Sequence, residues 1–351
     1  MIAVREDLAE LEGYHSAQVT VDVRLNTNES PLPPPEGFVA ALADAVAAIP
    51  FHRYPDRSCA ALRSDLARLH GVRPDQVFVA NGSNEVLQCL LLAYGGPGRT
   101  TALFEPTYAM HATIARMTGT AVAVGERAAD FTLPVGEARR VLSAARPEIT
   151  FLCSPNNPTG RVEPKDVVEE VLDLAPGLVV VDEAYAQFAT WSAVGMVADH
   201  VPLVVTRTYS KTWSMAAARL GYLLGPAPVV AALQEKAALP YHVDAVKQVA
   251  GRLALRFVDE MEQRVALLVS ERERVADALA RLPVTTWPSE ANFVLFRPDT
   301  RPGPDVWQGL VDRSVLVRDC SSWPRLGGCL RATVGTPGEN SAFLAALEEV
   351  L

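Results

Sequence analysis

Apolar and polar positions follow two rhythms along this chain. Short unbroken apolar runs, rich in valine, isoleucine and leucine, occur at 77–80, 101–104, 121–124, 149–153, 178–181 and 203–206. Runs of that length without polar alternation predict strands covered on both faces. Segments with helical spacing lie between them, at 37–49, from the turn at 81–85 to about 93, and at 108–118. Strands alternating with helices predict an α/β fold with a mainly parallel sheet. After Pro240 the rhythm changes. The proline-free stretch 245–282, dense in Arg, Glu and Ala, predicts one long helix. Strands at 292–296, 315–318 and 329–334 and a closing helix from Glu339 then make a smaller α/β domain. The first 35 residues end in Ser30-Pro31-Leu32-Pro33-Pro34-Pro35, too proline-rich for a helix or central strand, and read as an irregular arm lying on something else. The expected organisation is an arm at 1–35, a large domain at 36–245 and a small domain at 246–351.

A chain of 351 residues is long enough for two such domains, each with its own core. A net charge of -9 without a basic block argues against a nucleic-acid partner. Glu271-Arg272-Glu273-Arg274 mixes signs and reads as a solvated helix face. The five cysteines lack metal-like spacing, so no metal is expected; Cys89 and Cys153 sit in apolar runs where a thiol acts as a small hydrophobe. An odd count without a pairing framework suits a reducing cytoplasm. No apolar stretch approaches the ~18 residues of a membrane span, and the N-terminus has no signal-peptide core. The expectation is a soluble cytoplasmic enzyme.

Two strand ends carry chemistry. The run 178–181 closes in Asp182-Glu183-Ala184-Tyr185, and the run 203–206 leads into Arg207-Thr208-Tyr209-Ser210-Lys211, with Arg219 beyond. An amine and a carboxylate delivered by two strand ends are what pyridoxal phosphate needs. Lys211 would form the Schiff base, and Asp182 would pair with the pyridinium nitrogen and keep the ring an electron sink. Tyr185 and Asn157, the latter in Ser154-Pro155-Asn156-Asn157-Pro158-Thr159-Gly160, would donate to the cofactor's 3′ oxygen. Gly82-Ser83-Asn84 between a strand and a helix offers free N–H groups to a phosphate. It is equally an everyday helix-capping turn, and Ser210 and Arg219 are what favour the phosphate reading. Arg331, and Arg318 as a second contact, are forks suited to a substrate carboxylate or phosphate; each is equally suited to a structural ion pair.

The set and its order resemble the histidinol-phosphate aminotransferase family, of the fold type I pyridoxal-phosphate enzymes, over essentially the whole chain. The resemblance rests on 23–29, Tyr54-Pro55-Asp56, 81–85, Pro106-Thr107-Tyr108, 154–160, 181–185, 207–211, Arg219-Leu220-Gly221-Tyr222, Pro240-Tyr241, 291–295 and 330–340. It implies Lys211 as the catalytic lysine and Asp182, Asn157 and Tyr185 around the ring, with Tyr108 stacked on or near it. Ser83, Asn84, Ser210 and Arg219 would hold the cofactor phosphate. Tyr54 would reach the phosphate of a neighbouring subunit, implying a homodimer with shared sites. Tyr14, Asn28, Arg318 and Arg331 would line the substrate pocket. The implied reaction is ping-pong transamination between L-histidinol phosphate and 2-oxoglutarate, giving imidazole-acetol phosphate and L-glutamate. Departures from the family pattern sit at Gly13-Tyr14-His15, at 212–218 and at Ser322-Trp323-Pro324. They leave open an aminotransferase for aromatic or specialised-metabolite substrates, and a decarboxylase of the threonine-phosphate type shares the scaffold.

Overall fold

The computed structural model describes residues 2–9, 11, 13 and 16–351. In chain order its strands are β1 (Val23–Leu25), β2 (Val77–Ala80), β3 (Thr100–Glu105), β4 (Ala121–Glu126), β5 (Ile149–Cys153), β6 (Leu178–Asp182), β7 (Leu203–Thr208), β8 (Gly221–Leu224), β9 (Val284–Thr286), β10 (Phe293–Pro298), β11 (Val315–Asp319) and β12 (Leu330–Thr333). Among the described residues they form two sheets. The larger runs β2-β8-β7-β6-β5-β3-β4, parallel except for β8, which is antiparallel to both neighbours. The smaller runs β1-β11-β12-β10-β9 and is antiparallel except where β1 joins β11.

The unbroken apolar runs have the expected cause. Leu178 and Val180 pack against helices Ser83–Tyr94 and Met110–Met117 on one face of the large sheet, while Val179 and Val181 pack against helices Val135–Ala145 and Lys165–Leu174 on the other. Burying each of these side chains contributes roughly 1.5–3 kcal/mol. A charged residue is therefore tolerated only where such a strand ends. Asp182 is that end on β6, the middle strand. In parallel sheets the carboxyl ends of strands open onto the crevice where ligands bind.

The structure corrects several expectations. The arm is not wholly irregular: Val23–Leu25 extends the small sheet, taking the open edge of β11. The long helix is two, Ala245–Ala254 and Val258–Leu279. Phe257 leaves helical geometry between them and meets Phe38 edge-on at 6.2 Å, so an aromatic contact turns the chain without a proline. The helix expected from residue 108 begins at Met110. Nor is 271–274 a solvated face. Glu271 and Arg272 are buried; Arg272 Nη1 donates to the carbonyls of Ala291 and Phe188, and Glu271 accepts from Arg274 and Asn340. All five cysteines are free and buried. Among the described residues, no helix is long and apolar enough to cross a membrane.

Candidate active site

A cavity of about 840 Å³ opens at the carboxyl ends of β5, β6 and β7 and is closed on its far side by β11, β12 and the arm. Asn28, Ser83, Asn84, Tyr108, Asn157, Asp182, Tyr185, Ser210, Lys211, Arg219, Arg318 and Arg331 all line it. Tyr54 does not: it is 81% exposed and stacks on Tyr241 at 4.6 Å. Tyr14 lies outside the described residues.

Asp182 is 2% exposed, yet among the described residues no lysine or arginine pairs with it. Its Oδ1 accepts from the Thr206 hydroxyl at 3.1 Å and its Oδ2 from His111 Nε2 at 3.0 Å. A carboxylate only accepts, so it fixes the proton of His111 on Nε2. That ring lies flat on Phe151 at 4.6 Å, with its Nδ1 unpartnered among the described residues. A buried carboxylate with no lysine or arginine partner among the described residues suits a protonated pyridine nitrogen.

Lys211 Nζ donates to the Thr27 carbonyl at 3.1 Å and stands 5.8 Å from the centre of the Tyr185 ring. Burial, helped by the charge of Arg331, pulls its pKa from 10.5 down to about 8. The neutral amine attacks an aldehyde, and its fraction grows as pH rises through that value. The rate at which cofactor-free protein combines with pyridoxal phosphate is therefore expected to climb with pH and level off above about 8. Stopped-flow absorbance measures it; a rate still climbing tenfold per pH unit toward 10 would contradict this environment.

Helix Ser83–Tyr94 starts after Gly82, at φ 81°, and presents first-turn N–H groups that no helix carbonyl takes up. Beside it, Arg219 Nη1 donates to Ser210 Oγ at 3.3 Å. No room exists for side chains at the glycines between them. A Cβ on Gly82 would stand 2.9 Å from Arg219 Nη2, and one on Gly221 would collide with the Ser83 backbone nitrogen. Backbone donors, a hydroxyl and a guanidinium converging beside bare glycines form a cradle that fits a phosphate.

On the opposite wall Arg318 and Arg331 are cross-strand partners on β11 and β12. Arg331 is buried; its Nη1 donates to Asn157 Oδ1 at 2.5 Å and its Nη2 to the Asn26 carbonyl at 2.9 Å. The Tyr185 hydroxyl accepts from Asn28 Nδ2 at 3.0 Å and from Asn157 Nδ2 at 3.5 Å. Burial pushes that phenol up to about 12, so it keeps its proton. Asn28 also receives Thr333 Oγ1 at 3.1 Å, which ties the arm to the small sheet. Tyr108 donates to Asn84 Oδ1 at 3.1 Å.

Sequence reasoning missed His111, Thr206 and Asn26. His111 had one usable signal: it falls three residues after Tyr108, at the start of a helix.

Residues 20–347 match the family described as aminotransferase class I and II. A histidinol-phosphate aminotransferase of Mycobacterium marinum is 45% identical over 356 residues, covering 98% of this chain and 91% of that protein. In fold the chain is similar to the histidinol-phosphate aminotransferase of Sinorhizobium meliloti in complex with pyridoxal-5'-phosphate, with a TM-score of 0.86 at 22% identity over 94% of this chain and 90% of that one. It is also similar to L-threonine-O-3-phosphate decarboxylase of Porphyromonas gingivalis, with a TM-score of 0.81 at 22% identity over 93% and 98%. At 22% identity these two structures speak to the fold alone.

Proposed function

Because the chain belongs to the class I and II aminotransferases, we propose that it moves the amino group of L-histidinol phosphate to 2-oxoglutarate, giving imidazole-acetol phosphate and L-glutamate. Pyridoxal 5′-phosphate is the cofactor. Bound in the cavity, it supplies a cationic ring that draws electrons from the substrate's Cα–H bond.

The chain's own residues do the rest. Ser83 and Asn84, Ser210 and Arg219 bind the cofactor phosphate. Asp182, oriented by His111 and Thr206, holds the proton on the ring nitrogen. Tyr185 and Asn157 donate to the ring's 3′ oxygen, and Tyr108 lies by the ring. Lys211 would hold the cofactor's aldehyde carbon through Nζ, and the same amine would move the proton at substrate Cα. Arg318 and Arg331 bind the anionic end of the substrate, with Asn28 on the pocket wall.

The observation that carries the substrate class is the pairing of Arg318 with Arg331. The two residues face each other across β11 and β12 and both line the cavity, so an anion bound there is offered two forks. A phosphate serves both forks; so does the carboxylate of glutamate in the other half of the cycle. Protein loaded with pyridoxamine phosphate should lose its amine, seen by absorbance, when imidazole-acetol phosphate is added. Conversion by other oxo acids alone, or release of carbon dioxide from O-phosphothreonine, overturns this reading.

The exposed aromatic pair Tyr54–Tyr241, flanked by Phe51 and Leu239 at 69% and 75% exposure, supports a homodimer in which Tyr54 reaches the partner's cofactor phosphate. The free thiols support a cytoplasmic location.

A further inference from the structure

The segment between β11 and β12 carries an aromatic residue that the roles above leave unused. Residues 320–329 form a run of tight turns, of which Ser322, Trp323 and Pro324 line the cavity. Trp323 N–H donates to the Cys320 carbonyl at 2.9 Å, Leu326 N–H to the Trp323 carbonyl at 3.1 Å, and Cys329 N–H to the Leu326 carbonyl at 2.8 Å. Cys320 N–H closes the base on the Cys329 carbonyl at 3.0 Å. The Trp323 ring packs on the buried cluster of Phe131, Leu295 and Leu326. An ion pair from Arg325 to Glu126 on β4 ties the segment to the large sheet. The indole is thus held from both ends and from below, and it borders the cavity.

Its neighbour there is Arg318, whose guanidinium carbon lies 5.2 Å from the centre of the Trp323 ring. That is within cation–π range, and the contact restrains a side chain that otherwise samples many rotamers. The two arginines are therefore differently placed. Arg331 is buried and committed to Asn157 and the Asn26 carbonyl, while Arg318 is half-buried beside the Trp323 indole. A flat wall of that kind beside a fixed cation suits a planar ring carrying an anionic group. Glutamate has no ring to lay on it.

We propose that Trp323 is a specificity-determining residue: its indole, held beside Arg318, walls a subsite that takes the ring of a ring-bearing phosphorylated substrate, and the indole itself gives nothing to glutamate. The inference rests on the reaction assigned above and names the group that discriminates between its two substrates.

The test follows the two half-reactions separately on holoenzyme, with L-glutamate and with L-histidinol phosphate, in Trp323→Leu, Trp323→Phe and Arg318→Gln. Trp323→Leu should lower kcat/KM for histidinol phosphate ~10-fold, through KM, and leave glutamate within ~2-fold. Trp323→Phe, which keeps a π face, should stay within ~3-fold for both. L-Histidinol separates ring from phosphate. Trp323→Leu should weaken histidinol and its phosphate alike, whereas Arg318→Gln should weaken histidinol phosphate and glutamate, the two donors with an anionic end, more than histidinol. Equal loss on glutamate and histidinol phosphate, or no loss on either, overturns the inference. Should Trp323→Leu fail to hold the cofactor, Trp323→Met takes its place and is read in the same way. If wild type ignores histidinol phosphate but accepts phenylalanine or tyrosine, the reaction assignment fails on its own and the same variants are read on those donors. A wild type that accepts no ring-bearing donor ends both.

Discussion

Lys211→Ala is expected to reduce transamination by more than ~10⁴-fold, because one side chain supplies both the covalent tie to the cofactor and the base that moves the Cα proton. Borohydride treatment of the wild-type protein with pyridoxal phosphate should leave a stable adduct on the peptide carrying Lys211, and the variant should give none by mass spectrometry. Near-normal turnover, or an adduct on another lysine, would sink the proposed role. Stability should move the other way. The amine binds protons less readily in the folded chain, at about 8, than its ordinary 10.5. The folded state therefore disfavours the charged lysine, fully so below pH 8 and progressively less as pH rises to 10.5. Cofactor-free Lys211→Ala is accordingly expected to melt higher than its parent at neutral pH, by a margin that shrinks toward pH 10.5.

Asp182→Asn is the second large effect, with kcat/KM expected to fall about 10³-fold and cofactor affinity to weaken with it. The amide keeps the shape and still accepts from His111 Nε2, which lies 3.0 Å from the carboxylate in the parent. What it removes is the negative charge that holds a proton on the pyridine nitrogen. Thermal melting separates this from unfolding, since the cofactor-free variant keeps an acceptor for Thr206 and His111 and should melt close to the parent. A cofactor analogue methylated on the ring nitrogen carries a permanent positive charge and should recover part of the lost rate. Full activity of Asp182→Asn with ordinary cofactor would remove the electrostatic argument.

Both residues were legible in the chain for one reason. Asp182 closes an apolar run that burial makes uniform, so a charge there stands out, and Lys211 lies just past the end of the next such run. Gly82 and the 81–85 turn were legible as a strand-to-helix junction, though only the crowding of Gly82 and Gly221 against Ser83 and Arg219 distinguishes a phosphate cradle from a plain helix cap. His111 was not legible as part of the site. It acts from behind, through Asp182, and nothing in its own helix says which strand end it faces. The buried half of 271–274 and the break at Phe257 escaped for a related reason: local spacing describes one element, and both features come from what another element presses against it.

Alternating short-range patterns, then, were enough to fix the class of fold, the strand ends that carry the amine and the acid, and the glycine turn, because burial of both sheet faces acts residue by residue. Pairing and register lie beyond such patterns. Only the tertiary structure set β8 antiparallel against β2, joined the arm to β11, and brought Arg318 opposite Arg331 on one wall of the cavity that holds Lys211. Those contacts join residues far apart in the chain, and their geometry follows from how whole sheets and helices pack.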